Sequence, residues 1–325
     1  MARLLLTEFG DPATSVRLDD APVPAPGPDD VVVEMLAAPL NPADFLLMRG
    51  LYGVRPALPA TLGAEGVGRV VAGDAELVGK RVLILPTMEQ GLWADEVVLP
   101  RRNVLPIRED ADVLQLSMLA VNPATAYQLL RSHGQLEPGS WIAQTAANSA
   151  MGRYLITLAR RAGLRTLNVV RRPDAAAEVL AAGGDQAVVS DGDLRASLKS
   201  ALAGEQLSLI LDATGGPVVK DLTRSLKDGG TVVTYAFPEG APRISPADIV
   251  FRGITLTGFW LMNWLRTAPA AEVTALYDDL ADLVATGELT APVEATYRLA
   301  DYEDAFAHSL TAGRRGKILF TFGAE

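Results

Sequence analysis

The sequence predicts an α/β protein in two parts, a mostly antiparallel β region and a doubly wound parallel sheet flanked by helices. Three observations predict this. Residues 1 to about 118 hold short β-branched runs separated by Pro, Gly and Asp turns. From Met118 to Trp260, apolar runs of strand length alternate with amphipathic stretches of helix length, the pattern of βαβ units. The last apolar run, 317–322, is β-rich like the first region. The chain is therefore expected to leave the β domain, build the parallel domain and return, giving domains at 1–118 with 265–325 and at 119–264.

In the β region the expected strands are 31–35, 66–71, 81–85 and 94–99, with turn signals at 25–30, 72–74 and 78–80. In the parallel region the expected strands are 141–145, 166–170, 187–189, 207–212 and 231–235. The run Leu207-Ser-Leu-Ile-Leu-Asp212 is almost continuously apolar, as a strand covered on both faces must be. The expected helices are 150–162, 174–182, 194–203 and 218–227, followed by 270–286, which Gly287 stops.

Composition narrows the function classes. A net charge of −10 argues against nucleic-acid binding, which needs a basic footprint, and against an anionic membrane surface. No apolar stretch reaches membrane-spanning length, and the N-terminal run ends at Glu8, too short for a signal-peptide core. A cytoplasmic protein is expected. The chain has no cysteine and only two histidines, His133 and His308, far apart, so disulfides and thiol nucleophiles are excluded and a zinc site is not expected.

The chemistry-bearing stretch is Gln144-Thr-Ala-Ala-Asn-Ser-Ala-Met-Gly152. It follows an apolar strand and opens a helix, where small residues let backbone N–H groups approach a pyrophosphate. Only the last glycine of a G-x-G-x-x-G pattern is clear, so the candidate contacts are Asn148, Ser149, Ala150, Met151 and Gly152. The alternative is mere close packing of helix on strand. Roughly 20 residues further on, where an NAD enzyme carries a carboxylate, stand Arg171 and Arg172. Guanidinium groups there suit a 2′-phosphate, so the expected cofactor is NADPH. The alternative for the pair is a solvated helix entry before Pro173. Tyr235 and Ala236 end a parallel strand, the usual ligand edge of such sheets.

The chain resembles the medium-chain dehydrogenase/reductase superfamily, and within it the zinc-free 2-enoyl thioester reductases of the mitochondrial type. The resemblance rests on Asn41-Pro-Ala-Asp44, Arg49-Gly-Leu-Tyr-Gly53, Gly63-Ala-Glu-Gly-Val-Gly68, Val121-Asn-Pro-Ala-Thr-Ala-Tyr127, Leu136-Glu-Pro-Gly139, the 144–152 loop, residues 164–171, Gly229-Gly-Thr-Val-Val-Thr-Tyr235 and Gly258-Phe-Trp-Leu261, in that order along the chain. It implies a GroES-like catalytic domain and a Rossmann cofactor domain. It also implies NADPH-dependent reduction of the double bond of a trans-2-enoyl thioester of coenzyme A or an acyl carrier protein. Tyr52 matches the family's catalytic tyrosine, and Asn41 and Thr125 match positions lining the nicotinamide site. Asn122 and Pro123 should form the linker into the cofactor domain.

Lys317 resembles a lysine near the cofactor phosphate, with a solvated lysine as the alternative. Phe259 and Trp260, with Gly258 on the last candidate strand of the parallel region, are assigned to the cofactor and acyl site or, alternatively, to the core or to a homodimer edge. Tyr52 and Asn41 have ordinary readings as turn residues. Ala150 departs from the family's glycine, and its methyl group would crowd a pyrophosphate. Two other functions stay open, a quinone or general enone reductase and a non-enzymatic NADPH-binding protein.

Overall fold

A computed structural model describes residues 1–87, 91–133, 136–236 and 240–323. The chain divides into two compact units, Met1–Ala124 with Leu265–Glu325, and Thr125–Trp264. The first junction thus falls six residues beyond the 118/119 boundary read from the sequence.

The first unit opens with β1 (Ala2–Leu6), α1 (Pro12–Ser15), β2 (Val16–Asp20), β3 (Asp30–Pro39), α2 (Pro42–Met48), β4 (Ala60–Thr61), β5 (Gly66–Ala72), β6 (Arg81–Ile84), β7 (Glu96–Pro100), β8 (Val104–Pro106) and α3 (Val113–Ser117). After the second unit the chain returns as α11 (Ala270–Ala285), β15 (Val293–Tyr297), α12 (Tyr302–Leu310) and β16 (Lys317–Thr321), the intervening elements being given below. Among the described residues the larger sheet runs β15-β16-β3-β5-β6-β8, with β7 also on β3, and a smaller one runs β2-β1-β4. All pairs are antiparallel except β15 with β16. The return is therefore structural: β16 pairs with β3, Leu319 opposite Pro39. Trp93, Phe306 and Phe320 fill the core here, with Trp93 and Phe320 edge to face at 5.4 Å.

The second unit takes in most of α4 (Asn122–Arg131) and then alternates: β9 (Trp141–Gln144), α5 (Ala150–Arg161), β10 (Arg165–Val170), α6 (Pro173–Ala181), β11 (Gln186–Val189), α7 (Leu194–Leu202), β12 (Leu207–Asp212), α8 (Pro217–Arg224), β13 (Leu226–Thr234), α9 (Pro246–Arg252), β14 (Thr255–Gly258) and α10 (Leu261–Leu265). Its strands are all parallel, in the order β11-β10-β9-β12-β13-β14. The order reverses between β9 and β12, the switch point where doubly wound sheets bind ligands. Ile142, Ala143, Leu209, Ile210 and Val232 are buried, as strands covered on both faces require.

Three sequence expectations are corrected. The helix expected at 218–227 stops at Arg224, because Leu226 is already buried and pairs with Leu207 as β13 begins. Asn122 and Pro123 do stand at the junction of the two units, but not as an extended linker; they open α4, where proline is tolerated in the first turn. Phe259 and Trp260 lie just beyond β14 rather than on it.

Candidate active site

The phosphate loop is built by its local sequence. Ser149 is the N-cap of α5, and its hydroxyl accepts from the Gly152 N–H at 3.1 Å. Gly152 is required by space: a β-carbon there would lie 2.2 Å from the Ala147 carbonyl oxygen. Ala146 takes a left-handed backbone, φ 52°, and turns the chain from β9 into the loop. Among the described residues the N–H groups of Ala150 and Met151 have no protein acceptor, which leaves two helix-end donors for an anion. Asn148 lies beside them half-buried, and Ala150 is the first helical residue, also half-buried.

The loop is anchored from beneath. Gln144, at the tip of β9, donates to the Gly152 carbonyl at 3.0 Å and to Asn168 Oδ1 at 2.7 Å. Asn168, buried in β10, spends its own NH2 on Thr166 Oγ1 and the Gln186 carbonyl. Sequence reading missed this pair. The available signal was polarity, since Gln144 and Asn168 stand in otherwise apolar strands, and buried amide N–H groups seek acceptors. It also missed the switch point itself, where the Thr145 hydroxyl donates to buried Asp212 at 3.0 Å and accepts from the Ala213 N–H. Asp212 in turn accepts from the N–H groups of Thr214 and Gly215.

The other second-unit candidates also lie at the carboxyl ends of parallel strands. Arg171 follows β10, is exposed, and among the described residues makes no hydrogen bond or ion pair. Arg172 caps α6 and faces Asp174 at 3.6 Å, a solvent-screened pair. Tyr235 and Ala236 follow β13; burial and the Asp212 carboxylate hold the Tyr235 phenol above its ordinary range. Phe259 sits edge-on to His133, with ring centroids 6.2 Å apart. Trp260 follows it, half-buried. Thr125 is buried in the first turn of α4. An NADPH-sized dinucleotide fits this set: a cradle only glycine permits, free helix-end donors, and an uncommitted guanidinium one strand away.

In the first unit the structure joins two candidates directly. Asn41 precedes α2 and is buried, and its backbone N–H donates to Asp44 at 2.8 Å. It is therefore no exposed turn residue. Its Nδ2 donates to Glu65 Oε1 at 2.8 Å, and its Oδ1 accepts from Lys317 Nζ. Lys317 is 7% exposed and also donates to the Leu40 carbonyl at 3.0 Å. Neither reading of Lys317 from the sequence survives: it is not solvated, and its ammonium is turned into the protein rather than offered to a phosphate. Burial lowers the Lys317 amine and raises the Glu65 and Asp44 carboxyls, Asp44 to about 7, against the pull of the opposite charges. Glu65 was not foreseen. Tyr52 lies half-buried in the loop after α2.

Two family models match. A "zinc-binding dehydrogenase" model matches residues 150–278 and an "alcohol dehydrogenase GroES-like domain" model matches residues 27–109. The human mitochondrial enoyl-[acyl-carrier-protein] reductase is 35% identical over 98% of this chain and 88% of its own. The chain belongs to the medium-chain dehydrogenase/reductase superfamily. Among solved structures, a "putative NADPH:quinone reductase" from Bacillus thuringiensis superposes with TM-score 0.92 and 25% identity over 99% of both chains. The Etr1p complex with NADP and crotonyl-CoA shares the fold, with TM-score 0.85 and 23% identity over 99% of both chains.

Zinc, which one model's description carries, does not fit this superfamily member. The chain offers no thiolate. His133 belongs to one unit, and His308, in the other, is engaged by Tyr297 and Glu294. Among the described residues no three His, Cys, Asp or Glu side chains gather as ligands.

Proposed function

We propose that the protein reduces the carbon–carbon double bond of trans-2-enoyl thioesters, carried on coenzyme A or an acyl carrier protein, with NADPH. The observation that carries this reading is likeness to an enoyl-[acyl-carrier-protein] reductase along 98% of the chain. NADPH, when bound, supplies the hydride for the β-carbon. The residues 148–152 hold its pyrophosphate through N–H groups at the start of α5, and Arg171, flanked by Arg172, takes the 2′-phosphate. By the resemblance, Asn41 and Thr125 are assigned to the nicotinamide end, and Tyr235, Ala236, Phe259 and Trp260 to the cofactor and the acyl chain. Negative charge grows on the thioester oxygen as the β-carbon is reduced, and the Tyr52 hydroxyl donates a hydrogen bond to it. The α-carbon then takes a proton, either from water or from the Tyr52 hydroxyl, which solvent reprotonates, and the reaction is complete.

The test is direct. Crotonyl-CoA and longer trans-2-enoyl-CoA substrates are expected to consume NADPH, followed by its absorbance. Absence of turnover on every enoyl thioester, with fast reduction of quinones, would overturn the reading in favour of a quinone reductase. That second reading is favoured by the closeness in structure to the Bacillus thuringiensis protein.

The working form is a homodimer. On α9, Val250 is 70% and Phe251 83% exposed, and Leu256 is exposed on β14, the edge strand beside it. An apolar edge of this kind suits pairing with a second copy about a two-fold axis.

A further inference from the structure

The side chain of Asn41 is held between two buried charges of opposite sign. Lys317 Nζ donates to its Oδ1, and its Nδ2 donates to Glu65 Oε1 at 2.8 Å. Each holder is itself fixed. Glu65 Oε2 accepts from the Val121 N–H at 2.8 Å, and Lys317 also donates to the Leu40 carbonyl at 3.0 Å. The Asn41 backbone is fixed by its bond to Asp44. The one freedom left is the flip of the amide, whose oxygen and nitrogen ends are nearly equal in size. A flip would set NH2 against an ammonium and oxygen against a carboxylate, turning two attractions into two repulsions where water does not screen them.

From these contacts we infer that Lys317 and Glu65 are positioning residues that lock the Asn41 amide in one orientation for the reaction, an assignment that rests on the reductase reading above. Among the described residues, one hydrogen of the Asn41 NH2 goes to Glu65 and the other has no protein acceptor. The lock keeps that free edge a donor. It fits an acceptor oxygen, such as a carboxamide or thioester carbonyl, and rejects a donor group. Burying two opposite charges seldom adds stability over apolar groups of the same size, and here the two are joined only through the Asn41 amide, which fits such a role.

The experiment is a double-mutant cycle on the full-length protein with crotonyl-CoA and NADPH. Lys317→Met and Glu65→Gln are each expected to lower kcat by roughly 10- to 100-fold, as misplacement of an active-site group does, with the Kd for NADPH little changed. The Asn41→Ala/Lys317→Met double variant is expected to be no slower than Asn41→Ala alone, because Lys317 acts through Asn41. Losses that multiply, or a Lys317→Met variant with normal kcat, overturn the proposal. A purely structural lysine would lower the melting temperature without coupling to Asn41.

If Lys317→Met does not fold, the Glu65→Gln/Lys317→Met pair removes one buried charge of each sign and replaces it in the cycle. In the wild type, the side-chain amide signal lost in Asn41→Ala is expected to show slow proton exchange. Rapid exchange there also overturns the lock. Should the wild type reduce quinones but no enoyl thioester, the functional reading falls, and the same cycle run on the quinone decides the positioning role separately.

Discussion

Tyr52 and Arg171 carry opposite kinds of prediction. On the proposed mechanism, Tyr52→Phe removes a donor that meets charge only as the reaction proceeds, so kcat with crotonyl-CoA is expected to fall by roughly 100-fold while the Kd for NADPH holds. An unchanged kcat would favour the quinone or enone reading, which needs no dedicated donor. Arg171→Ala removes a guanidinium with no protein partner among the described residues, so its loss should cost binding rather than folding. The KM for NADPH is expected to rise by roughly tenfold or more and that for NADH to stay put, compared side by side. Asp44 carries a pH signature. Burial raises its carboxyl from 3.8 to about 7. The folded chain then keeps a proton that the unfolded chain releases, so burying Asp44 costs more stability as pH rises from about 4 to about 7. Asp44→Asn, neutral throughout, should gain melting temperature on the wild type across that window. A gap flat from pH 4 to 8 would contradict this.

At the scale of elements, the β9–loop–α5 unit is the most constrained piece of the second unit. Gly152→Ala would press a methyl group onto the Ala147 carbonyl, and overpacking of this kind costs roughly 1–3 kcal/mol. The variant is expected to melt earlier and to bind NADPH poorly by fluorescence titration; normal binding would mean that the loop yields. This unit was legible in the sequence because strand, small-residue loop and helix are neighbours in the chain. Leu207–Asp212 was read to the residue for a similar reason, as its apolar run has sharp ends. What was not legible depends on distant partners. Nothing near Leu226 announces that it pairs with Leu207 rather than extending α8. Lys317 looks like any solvent-facing lysine until β16 is laid beside β3 and its amine meets Asn41. Glu65, set among glycines, gives no local sign that both of its oxygens are taken. The strand β15 and the helix α12 went unread, although Val293-Glu-Ala-Thr-Tyr297 alternates apolar with polar residues; with no residue fully buried, the run lacks the strongly apolar character of the other strands.

For the whole molecule, the proposed dimer rests on the exposed apolar edge around α9 and β14. Phe251→Asp is expected to shift the protein from dimer to monomer in light scattering at micromolar concentration; a dimer that persists would place the contact elsewhere. The discontinuous first unit has a different consequence, one of timing. As the chain leaves the ribosome, β3 and Asn41 emerge well before their partners β16 and Lys317, by 276 residues in the case of the Lys317–Asn41 bond. The second unit is continuous from Thr125 to Trp264 and has all its strands in hand by then. A nascent or truncated chain lacking its last strand would thus own a finished cofactor-binding unit and an unfinished first one. Such a fragment is expected to retain NADPH and turn over nothing, so that the arrival of β16 itself switches on the chemistry.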